Sequence, residues 1–595
     1  MELVITNKNY SEWYWVDHLS KEKINSDLNP IKLCLFNGDI VDSSGVLLSS
    51  HVRTLKEIPC VLDYKGSTHG RLNDKLLYRC IPNDKLMPDF IVPYQCKTHH
   101  FQKLSVNKYV LIQFKEWKDK HPHGIIINTI GDVDNSNSFI EYQLHCKQLL
   151  YTLKDFSRES LYLKNVNSIN MINSICNIHP SIEDRTHLNI FSIDPEGCKD
   201  IDDAISIQHN NNQIIISVYI ANVGLMVDYF KLWNYFTKRV STIYLPTNKQ
   251  PMLPIILSEN LCSLHQEQLR IAFAMDIVIR NDNHSINDTI NDTINDTIND
   301  TINDTINDIH EYLIEKIEYK PVLVRLNNNY VYEENKLLED PDYRSLLQLT
   351  INLNNSRHYL NKIGDSHELV EYYMIFMNHE CSKQMVKLNS GIFRSVNVNM
   401  KELSQLEQTT MNNASTELTS FIKNWKYSSG QYCNIDNISS HELVGGGLET
   451  YLHITSPIRR LVDLINITLI QHKLGLITFT DEAIQFCNKW INEVDFINRS
   501  MKYIKRVQTD STLLFSYNHE NKQVYTGYMF DREELDDLKK SSILKYRYNV
   551  YIPELKIVTT IKASEYIHNY SSRQMTIHLF NEEAYLKQKI RLQLV

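Results

Sequence analysis

The sequence predicts a multidomain α/β protein, with a mixed α/β body set between small β-barrels, and three observations carry that expectation. The chain has 595 residues, more than one hydrophobic core can serve, so three or four domains are expected. Short apolar runs broken by turn residues occupy both ends, the pattern of small barrels. Between them, over roughly 185–515, segments of helical and strand periodicity alternate.

Taken in order, residues 1–55 are an N-terminal extension, expected to be irregular or a partial barrel. Residues 56–155 carry one convincing barrel: Pro82-Asn83-Asp84, Pro88-Asp89 and Pro122-His123-Gly124 punctuate the apolar runs 109–114 and 125–127. The body, 156–515, includes helices expected over 369–387 and 482–514. A second barrel is expected over 520–595, with strands at 523–528, 548–553 and 556–561. The unit Ile-Asn-Asp-Thr begins at Ile286 and repeats to Asp308. This low-complexity insertion, 286–308, falls between strand-like runs at 271–279 and 317–325, where a hairpin tip tolerates added length. Its Asn-Asp-Thr triplets match a glycosylation sequon that an intracellular chain does not use.

Composition narrows the partners. Hydrophobic residues are 42% and charged residues 22%, as in folded globular proteins. The 11 cysteines include no C-x-x-C pair, and the first residues lack a basic stretch followed by an apolar core. These features point to an intracellular protein, cytoplasmic in the first place with the nucleus open. No run of eighteen apolar residues occurs, so no membrane partner is expected. A formal charge of −9 excludes a uniformly basic coat and confines any nucleic-acid path to a local channel. Only 16 glycines are present, and three of them stand together at Gly445-Gly446-Gly447, where backbone either approaches a ligand closely or simply connects.

The strongest chemical signal is Ile193-Asp194-Pro195-Glu196-Gly197-Cys198-Lys199-Asp200-Ile201-Asp202-Asp203-Ala204. A strand-like run precedes it and another follows, so four aspartates share one loop whose path Pro195 and Gly197 fix. Clustered carboxylates oppose one another's ionisation unless a cation neutralises them. Mg²⁺, which binds a few carboxylates, waters and substrate phosphate, suits such a loop; the spacing and the bidentate glutamate of an EF-hand are missing. The plainer alternative is a set of aspartates that solvate turns and cap backbone.

The acidic run is similar to the signature of RNB-family (RNase II/RNase R) 3′-5′ exoribonucleases, and its wording most resembles the eukaryotic exosome branch. Further residues agree in order: Tyr219-Ile220-Ala221-Asn222-Val223; Arg239 to Pro246 followed by Pro251-Met252-Leu253-Pro254 and Leu261-Cys262-Ser263-Leu264; Glu371-Tyr372-Tyr373-Met374 with Asn378; and His453-Ile454-Thr455-Ser456-Pro457-Ile458-Arg459-Arg460. The resemblance covers about 185–475. It implies an RNB catalytic α/β domain flanked by OB-type barrels, cold-shock-like at the N-terminal side and OB-like at the C-terminal side.

The resemblance further implies Mg²⁺-dependent, processive hydrolysis of single-stranded RNA from its 3′ end to nucleoside 5′-monophosphates. Asp194 and Asp203 would hold one or two Mg²⁺ ions, with Mn²⁺ as a substitute; Asp200 would complete the shell, and Asp202 would position the attacking water or a second ion. Asp202, Asp200 and Arg459 would be catalytic, Tyr244 would stack on terminal bases, and Ser456, Arg460 and Asn378 would contact substrate. A monomer is expected, with an exosome-like partner suggested by branch similarity alone. The pattern is broken at Asn222, Leu461, Ile467, Thr468 and Lys505, so a catalytically impaired RNA-binding scaffold is the alternative, and a phosphohydrolase of small nucleotides a further one.

The late arginine segment has its own logic. Ser456 suits an N-cap and Pro457 a first helical position, so a helix is expected from there to Lys473, with Arg459, Asp463 and Asn466 opposite its apolar face. An arginine beside free N–H groups of a first turn makes an anion site. Lys502, Lys505, Arg506, Lys539, Lys540, Lys545 and Arg547 are further phosphate-contact candidates, each equally at home on a solvated face.

Overall fold

The computed structural model describes residues 1–595 apart from 96–105, 211–212, 281–312, 361, 396–429, 439–447, 518–522, 536–543 and 584. The chain forms two compact units, one of Met1–Leu150 with Tyr503–Val595 and the other of Tyr151–Lys502.

The first unit contains three β-sheets. Residues 1–55, expected to be irregular or a partial barrel, form a five-stranded antiparallel sheet in the order Lys23–Ile24, Trp13–Val16, Glu2–Ile5, Ile40–Val41, Leu47–Ser49. Its strands are two to four residues long, too short to register as periodic, and Leu3, Ile5, Tyr10, Trp15, Leu35 and Val41 supply its core. The second sheet has six strands between Ile58 and Asp132, and the additional pairing of Ile58–Leu62 with Lys75–Pro82 closes it into a barrel around Phe36, Cys60, Phe90, Val92, Val110 and Ile112. Closure removes the edges of the five strands in the ring, and Arg71–Leu72 lies outside it, paired to Lys75–Pro82 alone. The third is a five-stranded C-terminal sheet, in the order Ile557–Ala563, Tyr546–Ile552, Val524–Glu534, Ser572–Glu582, Lys587–Leu594, around Met529, Tyr548, Val550 and Met575. Alternation of buried and exposed residues along Tyr546–Ile552 gives it one buried face.

The second unit is built on a seven-stranded mixed sheet, in the order Glu183–Asp184, Leu313–Arg325, Leu269–Arg280, Gln213–Ala221, Asp203–Asn210, Phe191–Asp194, Asn328–Val331. Neighbours inside it are antiparallel, while both edge strands are parallel to theirs. The long hairpin of Leu269–Arg280 with Leu313–Arg325 is paired from Leu269↔Arg325 to Arg280↔Leu313, so the Ile-Asn-Asp-Thr repeat, which lies outside the described residues, is inserted at that hairpin's end. The longer helices of the unit include Pro341–Arg357, Ser366–Lys387, Leu461–Lys473 and Asp481–Ile491. Ser366–Lys387 is buried along most of its length and capped by Asp365, whose carboxylate accepts the Glu368 N–H at 2.8 Å. The single helix expected over 482–514 is two, Asp481–Ile491 and Val494–Ser516.

The arginine segment differs from expectation. Its helix begins at Leu461, and Arg460 is extended at φ −132°, ψ 127°. Tertiary pairing overrides the local signals of Ser456 and Pro457: Arg460 bridges Ser241 in antiparallel fashion, the Leu461 N–H donates to Val240 O at 3.0 Å, and the Thr242 N–H donates to Arg459 O at 2.9 Å. Arg459 therefore stands on a turn ahead of the helix, and the first-turn anion site expected there does not form. Asp463 and Asn466 do not line an open stripe. Both are buried: Asp463 accepts from the Ser456 N–H and from Arg460 Nη2 at 2.8 Å each, and Asn466 bonds the backbone of Ile392 and His453.

Candidate active site

Two neighbouring strands of the second unit's sheet aim the acidic run. Asp194 ends Phe191–Asp194 and Asp203 opens Asp203–Asn210, which pairs with Gln213–Ala221 from Asp203↔Ile220 onward. The intervening loop turns at Gly197, whose φ of +75° a β-carbon would strain. Ser263 then pins it: the hydroxyl donates to Lys199 O and accepts from the Ile201 N–H, both at 2.9 Å.

Asp202 is the most enclosed of the four acids at 3% exposure. One carboxylate oxygen accepts the Ile458 N–H at 2.8 Å and the other accepts Arg459 Nε at 3.2 Å. The acidic loop and the late arginine, 257 positions apart, thus meet directly. Arg459 keeps 45% of its side chain exposed. Its Nη2 donates to the buried Ser456 Oγ at 2.8 Å, so Asp202 and Ser456 hold the guanidinium from below and leave its outer edge to a ligand.

The other acids differ in their partners. Ser192 Oγ donates to Asp194 at 2.7 Å. Asp200 accepts from Tyr244 OH at 3.2 Å and from Lys249 Nζ at 2.8 Å. Among the described residues, no side chain donates a hydrogen bond to Asp203. Burial pushes Asp194 up to about 6 against the opposing pull of Ser192, Cys198 and Arg459, with Asp200 adding to the rise. Asp202 is pushed up to about 7 by burial, which outweighs Arg459 and the Ile458 N–H. Asp203 is held well above the ordinary carboxylate range by burial first and then by Asp194 and Asp202. Burial works to lower Arg459, but Asp202, Tyr244 and Asp203 raise it, so it stays charged.

Among the described residues, no three His, Cys, Asp or Glu side chains form a ready-made metal cage. The chemistry of the set nevertheless fits a hard divalent cation, since Asp203 faces like charges with no side-chain donor among the described residues and all its neighbouring acids offer oxygen. Asp194 and Asp203 are the residues free to hold such an ion, because Asp202 is saturated by the protein and Asp200 is paired.

Of the expected substrate contacts, Tyr244 is 43% exposed at the edge of the acids. Arg460 is tied to Asp463. Ser456 and Asn378 are interior supports: Asn378 is 4% exposed, donates to Tyr451 OH at 3.0 Å and accepts the Ile454 N–H at 2.9 Å. Gly445-Gly446-Gly447, Lys539 and Lys540 lie outside the described residues, and Arg547 pairs with Glu533 at 3.2 Å.

Residues unsuspected from the sequence complete the site. Lys249 faces Tyr244 across the small ladder Ile243–Tyr244 with Lys249–Gln250. Tyr332 donates its backbone N–H to Asp194 O at 3.2 Å and stacks on His367 with ring centroids 3.7 Å apart. Its phenol is raised by burial and then by Asp203 and Asp194. No local pattern marks either residue, because each is brought in by tertiary pairing.

Comparison with known proteins agrees with this arrangement. The RNB domain model matches residues 182–475, which hold every acid of the loop and the late arginine. Residues 182–475 are an RNB domain. Ribonuclease R of Chlamydia pneumoniae is 26% identical over 418 residues, 62% of this chain and 59% of that protein, so the match spans under two thirds of the relative. Mycoplasma genitalium RNase R, solved with double-stranded RNA, superposes with a TM-score of 0.62 at 16% identity, covering 94% of this chain and 98% of that one. Yeast Ssd1, described as a pseudonuclease, superposes with a TM-score of 0.52 at 13% identity, covering 94% and 78%. At these identities the two structures speak to fold, and the fold is RNase R-like, with β-barrel domains that flank the RNB domain along the chain.

Proposed function

We propose that this protein is a Mg²⁺-dependent hydrolytic exoribonuclease that shortens single-stranded RNA processively from its 3′ end and releases nucleoside 5′-monophosphates. The observation that carries the proposal is the direct clamp of Asp202 on Arg459 beside Asp194 and Asp203. The RNase R relatives support the substrate class, and one of them was solved with RNA.

Magnesium bound to Asp194 and Asp203 would supply Lewis-acid polarisation of the phosphodiester and a hydroxide near neutral pH. Arg459, oriented by Asp202 and Ser456, presents its outer N–H groups to phosphoryl oxygens as their charge grows. The ring of Tyr244 offers a stacking surface that any base can use, contributing about 1–3 kcal/mol per base.

A second reading, an inactive RNA-binding scaffold, is favoured by the shared fold with a pseudonuclease. Retention of Asp194, Asp200, Asp202, Asp203 and Arg459 favours the enzyme. The test is 5′-labelled unpaired RNA with a free or a blocked 3′ end, with Mg²⁺ or EDTA. Stepwise shortening of the free-ended RNA and release of 5′-monophosphates only with Mg²⁺ is expected. Bound but intact RNA would establish the scaffold, and cleavage confined to mononucleotides would establish a different phosphohydrolase.

A further inference from the structure

Among the described residues, Asp200 is the one acid of the loop that pairs with a lysine. Its Oδ1 accepts from Lys249 Nζ at 2.8 Å and its Oδ2 from Tyr244 OH at 3.2 Å, so both oxygens are engaged. The same ammonium lies 2.9 Å from Glu259 Oε1. Lys249 is fixed by the short Lys249–Gln250 strand, and Glu259 by the Leu257–Leu261 turn, whose Glu259 carbonyl bonds His265 Nε2 at 2.8 Å. Exposure of the three side chains is 24% for Lys249, 9% for Asp200 and 19% for Glu259, so water screens the contacts only partly.

An ammonium has three donors and is a compact point charge. It can leave one carboxylate while staying bound to another, and Glu259 provides that second berth. We propose that Lys249 is a built-in counter-ion that contends with the metal for Asp200, with Glu259 as the acceptor that retains the lysine when the metal takes the aspartate. The inference rests on the metal-dependent reading of the site given above. It assigns to Lys249 and Glu259 a positioning role that sets how tightly the loop binds a divalent ion, separately from what the ion does to RNA.

The consequence has opposite signs at the two partners, and the dependence of one effect on the other separates it from the direct Coulomb action of each charge on the ion. Removing the lysine frees Asp200 and should tighten metal binding. Removing the Glu259 charge confines the lysine to Asp200 and should weaken it. The experiment uses the full-length protein without RNA and measures bound Mn²⁺ from the paramagnetic resonance of the free ion. Thermal unfolding of each variant serves as the control for folding.

Lys249→Met is expected to bind Mn²⁺ about fivefold to tenfold more tightly, a range typical of removing one partly exposed competing charge. Glu259→Gln, which keeps the lysine and remains informative should the first variant fail to fold, is expected to bind more weakly than wild type. In the Lys249→Met background the Glu259→Gln effect should shrink, since the two act as a pair. The tightening should persist in concentrated KCl, where action through space is screened. Unchanged or weaker binding by Lys249→Met, equal Glu259→Gln effects in both backgrounds, or a tightening that disappears in KCl would overturn the inference. Failure of the wild type to take up Mn²⁺ at all would instead sink the metal-dependent reading, and this inference with it.

Discussion

Asp203 shows at the residue scale why a cation is proposed for the acidic loop. An unfolded aspartate titrates near about 3.9, whereas folding holds Asp203 well above that range and Asp194 near about 6. Between those limits the native chain binds more protons than the unfolded chain, so the contribution of these groups to stability falls as pH rises. Asp203→Asn removes one of the charges. Thermal unfolding in EDTA should show the variant matching wild type at about pH 3, below the unfolded carboxyl pKa, and exceeding it by about 1–3 kcal/mol at about pH 8. Mg²⁺ should stabilise wild type at the higher pH and leave the variant almost unmoved. A gap that narrows with rising pH would contradict the burial argument. Arg459→Ala should lower turnover by about 10²–10³-fold, the usual loss for one preorganised donor, with a smaller change in RNA affinity; equal losses in both would make it a binding residue only.

At the scale of elements, four of the five broken positions share one environment, and the fifth, Lys505, is exposed on the Val494–Ser516 helix. Asn222 is 1% exposed, caps the Val223–Tyr229 helix through the Leu225 N–H, and forms a reciprocal amide pair with Gln471 on Leu461–Lys473, at 2.7 and 3.3 Å. Leu461 and Ile467 are fully buried on that helix, and Thr468 Oγ1 sits where a β-carbon on Gly224 would come within 2.2 Å. These departures make a neutral, closely packed helix contact in which a carboxylate would face no cation. Asn222→Asp should therefore cost about 1–3 kcal/mol in chemical denaturation, as expected for a buried charge met by neutral donors alone; a neutral result would mean that a cation serves the site. The acidic loop itself was legible in the sequence, because four aspartates between two strand-like runs sit where the strands place them. The helix start was not, because Arg460 is extended by a bridge to Ser241 that no local propensity encodes. Lys249 and Tyr332 were invisible for the same reason: ordinary residues acquire their place through pairing across the fold. The N-terminal sheet escaped notice because its strands are shorter than a detectable period.

For the molecule as a whole, a loop and a turn far apart in sequence meet in one centre on a single mixed sheet. The repeat 286–308 enters at the end of the Leu269–Arg280 and Leu313–Arg325 hairpin. Replacing 282–311 by a short turn is expected to leave RNA shortening within about twofold of the parent and stability within about 0.5 kcal/mol, as for changes away from packed contacts; a large loss would give the repeat a role. The central claim is that Asp202 and Arg459 act together on a metal-bound phosphodiester. Single-turnover cleavage of labelled single-stranded RNA by Asp202→Asn, Arg459→Lys and the double variant tests it most directly. Each single substitution is expected to slow cleavage by at least about a hundredfold, and the double variant no further than the slower single, as for residues working as one unit. Undiminished cleavage by either single variant, or losses that multiply in the double, would contradict it.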